Sequence, residues 1–303
     1  MADFLNSFGR RFQKNLGRNV FILFGLAPVA VWIVIFAFYP MLIAMIRGFT
    51  DWTLASNRIN FIGLANFLRM PGDRVFMVAL KNTILAVVIT VPLTVLLALL
   101  AAAAFNSVTS IARQIFTPIY FLPSVVSMVA IASVWRWLYH SSYGLINYFL
   151  GFFGISPQPF LRDPSQALPS ALAMMVWGGL GYYAVILLAA IKNIPAVYYE
   201  ASTIDGANSF QKFIRITVPL LTPTILFTTI MSVIGTFQVF VPISVMTQGG
   251  PGDASMVLGL YIYRVAMNRL EMGYATAISM VLFAIIMVIT VLQWKFVRSD
   301  WEY

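Results

Sequence analysis

The sequence contains no cysteine and a single histidine, His140. Disulfide bonds, cysteine-based metal sites and cysteine–histidine nucleophile pairs are therefore excluded. His140 stands beside Tyr139 and Ser141 near a predicted span end, which favours a loop residue at the membrane interface over a proton relay. The lack of cysteine leaves the redox compartment open.

Charged residues are also scarce: they make up 10% of the chain, against roughly 25% in soluble domains. Hydrophobic residues occupy 60% of the 303 positions, and the mean hydropathy is +0.87. These values predict an integral membrane protein that folds as one polytopic bundle. The net charge of +9 comes from basic residues spread over loops and termini, which membrane topology explains better than a nucleic-acid surface.

Signatures of catalysis and of ATP binding are missing as well. No Gly-Lys-Ser/Thr follows the glycines at 249–252, so this stretch is interpreted as a tight turn and not as a phosphate-binding loop. The sequence has no GxSxG elbow, no HExxH and no paired intramembrane carboxylates. We therefore expect no catalytic residue and no metal site, and a chain that is not itself an enzyme.

Apolar runs long enough to cross a bilayer, which takes about 20 residues, recur six times. The predicted spans lie near 21–46, 76–104, 115–138, 169–191, 218–246 and 274–296. No span holds an interior Asp or Glu, so proton-coupled or ion-coupled transport lacks its usual residues. The predicted fold class is an all-α membrane protein with six transmembrane helices over 21–298 and a C-terminal tail at 299–303.

Residues 3–18 place a phenylalanine or leucine at every fourth position, with basic residues between them. This pattern is typical of a basic amphipathic helix on anionic lipid, and an ordinary basic leader is the alternative for 1–20. An even number of spans puts both termini on one side of the membrane. The segments on that side hold ten basic residues and the opposite segments hold six, which favours cytoplasmic termini.

The stretch 195–223 lies between the fourth and fifth spans and is rich in charged residues. Apolar or small residues at i, i+4 and i+7 from Val197 share one helical face. The pair Asp205-Gly206 is a turn signal, and Asn208 can cap a second short helix. The pattern predicts helix–turn–helix between two spans, with an amphipathic loop on the membrane surface as the alternative.

The order of residues in this stretch resembles the EAA loop of binding-protein-dependent ABC importers. It is most similar to the form found in sugar importers, YEAA-x-IDGA followed by F, I and LP, since residues 199–207 read YEASTIDGA. Ser202 stands where the second alanine is usual, and Val218 stands in the leucine place before Pro219. Both departures are mild.

Further landmarks extend the resemblance over nearly the whole chain. They are FTDW at 49–52, FIGLANF at 61–67, NT at 82–83, YGLIN at 143–147, GGP at 249–251 and YIYR at 261–264. Each is weak alone, but the ordered set is similar to the permease subunits of the maltose and glycerol-phosphate type. Within such heterodimers, the chain most resembles the subunit that carries FTDW and YIYR.

The resemblance implies a type I ABC importer permease fold in the inner or plasma membrane of a prokaryote. It implies a second homologous permease subunit, two ATP-binding subunits and an extracytoplasmic solute-binding protein as partners. No cofactor would bind to this chain, because ATP and Mg would sit on the ATPase subunits. The loop 195–217 would seat a coupling helix in a groove of the ATPase. The residues that the resemblance assigns to this coupling are Tyr199, Glu200, Ala201, Asp205, Gly206 and Ala207.

The resemblance also carries solute contacts of maltose-type members onto the third, fourth and fifth spans. These contacts fall on Ser124, Met128, Gly179, Tyr182, Ser232 and Thr236. Trp177 and Gln238 are added as nearby aromatic and polar groups, because sugar sites combine hydrogen bonds with aromatic faces. Met175 falls on another contact position but lacks the amide expected there. The alternative is that the serine and threonine hydroxyls bond to their own helix backbone.

Together these expectations describe the transmembrane subunit of an ATP-driven importer that carries a sugar, oligosaccharide or polyol by alternating access. A permease of the same family for a glycerol phosphodiester-type solute is the first alternative. A stand-alone secondary transporter or channel is the alternative from another class. Uptake that persists without ATP hydrolysis would favour that last reading.

Overall fold

The computed structural model describes residues 20, 24–55 and 59–296. The predicted amphipathic segment at 1–20, except Val20, and the predicted tail at 299–303 lie outside the described residues. Within the described ranges the backbone is helical and carries no named strand, so the predicted all-α class is confirmed. One isolated antiparallel bridge joins Thr50 to Phe61.

The helices follow in this order along the chain. They are α1 (Phe24–Arg47), α2 (Ala65–Arg69), α3 (Arg74–Ser107), α4 (Ser110–Val125), α5 (Met128–Leu138), α6 (Leu145–Phe152), α7 (Ala167–Lys192), α8 (Ala196–Ile204), α9 (Ser209–Leu220), α10 (Thr222–Phe237), α11 (Val241–Met246), α12 (Leu258–Tyr263) and α13 (Met272–Phe296). A π-helical turn extends α12 through Arg264–Asn268.

Four of the described helices, α1, α3, α7 and α13, are long and apolar enough to cross a membrane unaided. Two helix pairs also meet the criterion together, although each pair is sharply bent: α4 with α5 by 98° and α9 with α10 by 69°. Counting each bent pair as one span gives up to six spans. The fold therefore holds the six apolar segments of the sequence, two of them as broken helices.

The two bends divide segments that the sequence pattern treats as continuous, 115–138 and 218–246. In the first, the backbone becomes extended at Val126 and Ser127, just after Pro123. In the second, the bend falls at Leu221, two residues before Pro223. Proline lacks the amide donor that continues a helix, and its ring clashes with the preceding turn, so Pro223 gives the second break a local cause. The first break lies three residues after Pro123, beyond the turn that this proline disturbs.

The centre of the bundle is α3, which packs along α7 and α10. Fully buried alanines mark these contacts, among them Ala86 and Ala98 on α3 and Ala184 on α7. Small side chains allow helix backbones in a membrane to approach closely, which is how such helices associate without a hydrophobic driving force. Two clusters of buried side chains result, one towards each end of the bundle.

Helix α1 differs from the rest because its membrane-crossing window is not buried against the described chain. Its C-terminal part packs against α13, and Gly48 lies against Met280 there. The loop beyond it is fixed by Asn66, which donates to the carbonyls of Gly48 and Thr50 at 2.9 Å each. The landmark segments 49–52 and 61–67 therefore meet as one folded unit.

Polar side chains also join the start of α3 to the loop that follows α11. Asn82 donates to the carbonyls of Ala254 and Met256 at 2.9 Å each, and Thr83 accepts from the Leu258 amide at 2.9 Å. Buried carbonyls and amides need such partners. The landmark pair 82–83 thus fixes the segment 254–258, which follows the glycine-rich loop 249–252.

Asp73 forms a third polar junction, just before α3. Its carboxylate accepts from the amides of Val75 and Phe76, which caps the helix, and from the hydroxyls of Tyr261 and Tyr274. Burial alone would raise the pKa of Asp73, but the hydrogen bonds outweigh it and hold that pKa below its ordinary value. Burial, reinforced by the Asp73 carboxylate, raises the pKa of Tyr261 to about 12. Asp73 therefore accepts as an anion and Tyr261 donates as a neutral phenol at ordinary pH.

Candidate functional site

The loop between α7 and α10 folds as the helix–turn–helix that its sequence predicts. Helix α8 starts after Pro195 and is followed by Asp205 as its C-terminal cap. The next residue, Gly206, has a φ of +75°. This left-handed backbone costs glycine little, and it lets the Ala207 amide bond to the Ser202 carbonyl at 2.9 Å. Asn208 then starts α9 through a reciprocal capping box with Gln211.

One side of α8 fastens the loop to the bundle. The Tyr199 hydroxyl lies 2.9 Å from the Thr217 hydroxyl, and the Tyr199 ring packs on the cluster of buried side chains at the α8 end of the bundle. Ser202 is buried and donates to the Tyr199 carbonyl at 2.8 Å, while Lys212 donates to Thr203 at 2.8 Å. Tyr199 therefore orients the loop from inside, unlike the other five residues that the resemblance assigns to coupling.

The opposite side of the loop is apolar and open. We call Val197, Ala201, Ile204 and Phe210 the loop face; Val197 is 62% exposed, Ile204 88% and Phe210 72%. Ala201 is exposed, as are the predicted coupling residues Glu200, Asp205 and Gly206, whereas Ala207 is half-buried. Exposed apolar side chains next to a carboxylate make a surface suited to a protein partner.

A cavity of about 260 Å³ lies inside the bundle at the level where α3 and α7 are halfway along. Five helices and the residues after α10 form its wall. The wall residues are Thr90 and Thr94 from α3, Met128 from α5, Met175, Gly178, Gly179 and Tyr183 from α7, Ser232, Gly235 and Thr236 from α10, Val239, and Pro242 from α11. We call it the midplane cavity.

The midplane cavity brings together four of the predicted solute-binding residues, which are Met128, Gly179, Ser232 and Thr236. Met175, the position without the expected amide, also lines it. The other four predicted residues, Ser124, Trp177, Tyr182 and Gln238, are not part of its wall. Trp177, Tyr182 and Gln238 are instead exposed on the outside of this chain.

The wall of the midplane cavity is neutral and carries hydroxyl groups between apolar surfaces. Tyr183, the neighbour of Tyr182, lines it, and the Ser232 side chain lies within interaction distance of the Tyr183 hydroxyl. Seven wall residues were not predicted from the sequence, and three of these carry a hydroxyl group: Thr90, Thr94 and Tyr183. A signal for the first pair exists, because Thr90 and Thr94 are spaced i, i+4 in an otherwise apolar run.

A larger cavity of about 480 Å³ opens at the end of the bundle opposite the α8 loop. Arg136, Arg162, His140 and Tyr143 contribute to its wall. His140 stacks on Tyr143 with ring centroids 3.4 Å apart and accepts a bond from the Ser142 amide. Across the described ranges, no cluster of three histidine or carboxylate side chains is arranged to hold a metal ion.

Residues 94–298 match the protein family described as "Binding-protein-dependent transport system inner membrane component". The chain is 34% identical to the probable ABC transporter permease protein YesP of Bacillus subtilis, over 96% of this chain and 93% of that protein. It is also 34% identical to the lactose transport system permease protein LacF of Rhizobium radiobacter, over 90% and 92% of the two chains.

Among solved structures, the fold is similar to a chain of a bacterial alginate ABC transporter, crystallised in complex with a periplasmic protein that holds an alginate pentasaccharide. The TM-score is 0.84 at 25% sequence identity, and the match covers 94% of this chain and 96% of that one. The arrangement of helices described above is therefore that of a type I permease fold.

Proposed function

Since the chain belongs to the family of binding-protein-dependent transport system inner membrane components, we propose that it is the transmembrane subunit of an ATP-driven importer for a sugar, oligosaccharide or polyol. The similarity to a lactose permease and to an alginate transporter supports this class of solute. The observation that carries the proposal is the pairing of an exposed loop face with a neutral, hydroxyl-lined cavity in one bundle.

We propose that the loop face docks on a separate ATP-binding subunit at the cytoplasmic end of the bundle. Ile204 and Phe210 project from a loop that Tyr199 holds against the core, so force applied to the loop face reaches the spans. Glu200 and Asp205 lie at the edge of the same face, where they can meet basic groups. ATP and Mg are then bound by that partner and not by this chain.

The assembly that we propose contains a second homologous permease subunit, two ATP-binding subunits and an extracytoplasmic solute-binding protein. The similar alginate transporter was crystallised with a periplasmic binding protein, which supports the last of these partners. The unburied surface of α1 supports the second permease, because a helix that packs so little in its own chain leaves its sides for another. Both termini are proposed to lie in the cytoplasm of a prokaryote.

We propose that the solute binds in the midplane cavity against Met128, Gly179, Ser232 and Thr236. The cavity lies at mid-depth, where importers that work by alternating access bind their solutes. Trp177, Tyr182 and Gln238 are exposed and lie outside the wall, and they are proposed to contact solute only across the interface with the second permease. Among the described residues, no lysine or arginine lines the midplane cavity, which favours a neutral sugar over a phosphodiester.

The test is to extract the subunit in mild detergent and identify by mass spectrometry the proteins that come with it. A second six-span protein and a P-loop ATPase are expected. The binding protein of the complex is then screened by thermal shift against lactose and an alginate trisaccharide. Recovery of the subunit alone, from a preparation in which a known importer of the same type stays assembled, would contradict the proposal and favour a stand-alone transporter.

A further inference from the structure

Two threonines of α3 have buried hydroxyl groups that bond to no other group in the described part of the chain. Thr90 is 4% exposed and Thr94 2% exposed, and neither hydroxyl oxygen has a hydrogen-bond partner among residues 20, 24–55 and 59–296. A buried hydroxyl without a partner is costly, so most threonines in membrane helices bond to a carbonyl of their own helix. These two require another explanation.

Several other threonines of this chain follow the usual pattern. Thr83 donates to the Ala79 carbonyl at 2.7 Å, and Thr228 and Thr229 donate to the Ile225 carbonyl at 2.9 and 2.7 Å. Thr90 and Thr94 have carbonyls available one turn earlier, yet their hydroxyls do not use them. The hydroxyls of Thr117, Ser124 and Thr290 are also buried without a partner among the described residues. Thr90 and Thr94 differ from these three because they line the midplane cavity.

Both threonines line the midplane cavity, across from Ser232 and Thr236. Gly179 forms the neighbouring wall, and a side-chain carbon placed there would lie 3.4 Å from the Thr94 methyl group. The glycine therefore keeps the surface beside Thr94 free of side chain. One helical turn separates the two threonines, so both hydroxyls lie on the same face of α3.

We propose that Thr90 and Thr94 bind the solute directly and that α3, the second span, thereby supplies one wall of the solute site. This inference rests on the proposed function. A threonine hydroxyl both donates and accepts, as the hydroxyls of a sugar do, so each of the pair fits adjacent hydroxyls of a neutral sugar unit. Met128, Met175 and Tyr183 provide the apolar surface on which the carbon face of that unit rests.

The first experiment tests whether solvent reaches the pair, and it uses the lack of native cysteine in this chain. Thr90→Cys, Thr94→Cys and, as a matched control, Leu96→Cys on the exposed side of the same helix are treated in the assembled transporter with a charged methanethiosulfonate. We expect Thr90→Cys and Thr94→Cys to react at least about tenfold faster than Leu96→Cys, because thiols in lipid do not ionise. Equal, slow labelling of all three would overturn the inference.

The second experiment tests contact with the solute. Uptake of lactose and of an alginate trisaccharide is measured in vesicles that hold the whole transporter and its binding protein. Thr90→Val and Thr94→Val keep the shape of the side chain and remove the hydroxyl, and each should raise the half-saturating concentration of the imported sugar about three- to tenfold. Thr229→Val, whose hydroxyl bonds to its own helix, is the control and should leave uptake unchanged.

The outcomes separate this inference from the proposed function. If the wild-type transporter imports a sugar and the two valine variants match it, the inference is wrong and the proposed function stands. If the wild-type transporter imports neither sugar although it is assembled, the proposed choice of solute is wrong, and the labelling contrast alone decides whether Thr90 and Thr94 face the solute path. Recovery of each variant with its partner subunits excludes misfolding as the cause.

Discussion

At the scale of single residues, side chains that are adjacent in the sequence of this permease face different surroundings. Tyr199 turns inward and fixes the α8 loop through Thr217, while Glu200 and Ala201 remain outside. Tyr183 lines the midplane cavity, while Tyr182 is exposed. Adjacent helix positions differ by about 100° in direction, so a motif identifies a region more securely than it identifies the side chain that makes contact.

The turn after α8 depends on Gly206. Proline cannot adopt its φ of +75° and cannot donate the bond from this amide to the Thr203 carbonyl, so Gly206→Pro should cost about 3 kcal/mol or more locally. We expect the variant to reach the membrane, but the rate of solute-stimulated ATP hydrolysis of its complex should be at least about tenfold lower than in the wild type. Stimulation at the wild-type level would contradict a coupling role for this turn.

Gly206→Ala is the graded control for that change. A side-chain carbon at this position meets no other atom within 4 Å, so the only cost is the left-handed backbone, about 1–2 kcal/mol. The alanine variant should therefore retain more stimulated hydrolysis than the proline variant. Equal loss in both would mean that flexibility of the turn, and not its shape, is what matters.

Glu200 lies at the edge of the loop face and is predicted to face the ATP-binding subunit. Glu200→Lys reverses its charge, which should weaken docking and reduce solute-stimulated ATP hydrolysis roughly tenfold or more. Lys192→Glu, an equal and opposite reversal on an exposed residue at the end of α7, should have little effect. Wild-type stimulation in Glu200→Lys would remove this carboxylate from the interface.

Tyr182 stays a prediction as a solute contact, since it lies outside the midplane cavity in this chain. If the second permease completes the site at this surface, Tyr182→Ala should raise the half-saturating solute concentration about threefold to tenfold without changing basal ATP hydrolysis. Tyr183→Phe, which keeps the ring and removes the hydroxyl beside Ser232, is the matched comparison inside the cavity. Unchanged uptake kinetics in Tyr182→Ala would remove that residue from the solute site.

At the scale of helices, what the sequence predicts well is the order of elements. Apolar runs are local signals, so most described residues of the predicted spans are helical, except at 126–127, 221 and 238–240, and the α8 loop has its predicted form. The breaks at Val126 and Leu221 were not predicted, because prolines in membrane helices are often tolerated and only packing decides where a helix parts. The inward face of α3 is marked in the sequence only by the pair Thr90 and Thr94, since the rest of this membrane segment is apolar all round.

The junction at Asp73 belongs to this scale, because it joins the start of α3 to α12 and α13. A carboxyl whose pKa is lower in the folded state stabilises that state above its unfolded pKa of about 4, and the gain disappears as the pH falls through the folded pKa. Asp73→Asn cannot ionise. We therefore expect the free energy of unfolding of the wild-type subunit in detergent at pH 7 to exceed that of Asp73→Asn by about 1–3 kcal/mol. The wild type should accordingly have the higher melting temperature.

The difference between the two melting temperatures should shrink between pH 5 and pH 3, since wild-type Asp73 becomes protonated there. Comparing the variants at each pH removes the general effects of acid on the rest of the subunit. A difference that stays constant across this range would show that the Asp73 charge does not stabilise the junction. Thermal unfolding followed by tryptophan fluorescence is the measurement.

At the scale of the whole molecule, the sequence landmarks prove to be largely scaffold. Asn66, Asn82 and Asn147 each donate to two or more backbone carbonyls and so join loops to spans. These three side chains therefore stabilise the arrangement of loops and helices. The proposed solute site carries a weaker signal in the sequence, because its hydroxyls and glycines lie inside apolar runs and are brought together only when five helices surround one cavity.

The position of α1 has a consequence for the making of the protein. The helix packs against α13, which is synthesised last, and 224 residues (48–271) separate the two. At a synthesis rate of about 5–20 residues per second, roughly 10–45 s pass before that neighbour emerges from the ribosome. During this interval α1 must stay in the membrane without its contact to α13. The mean hydropathy of 2.5 in its membrane window favours stable insertion in lipid on its own.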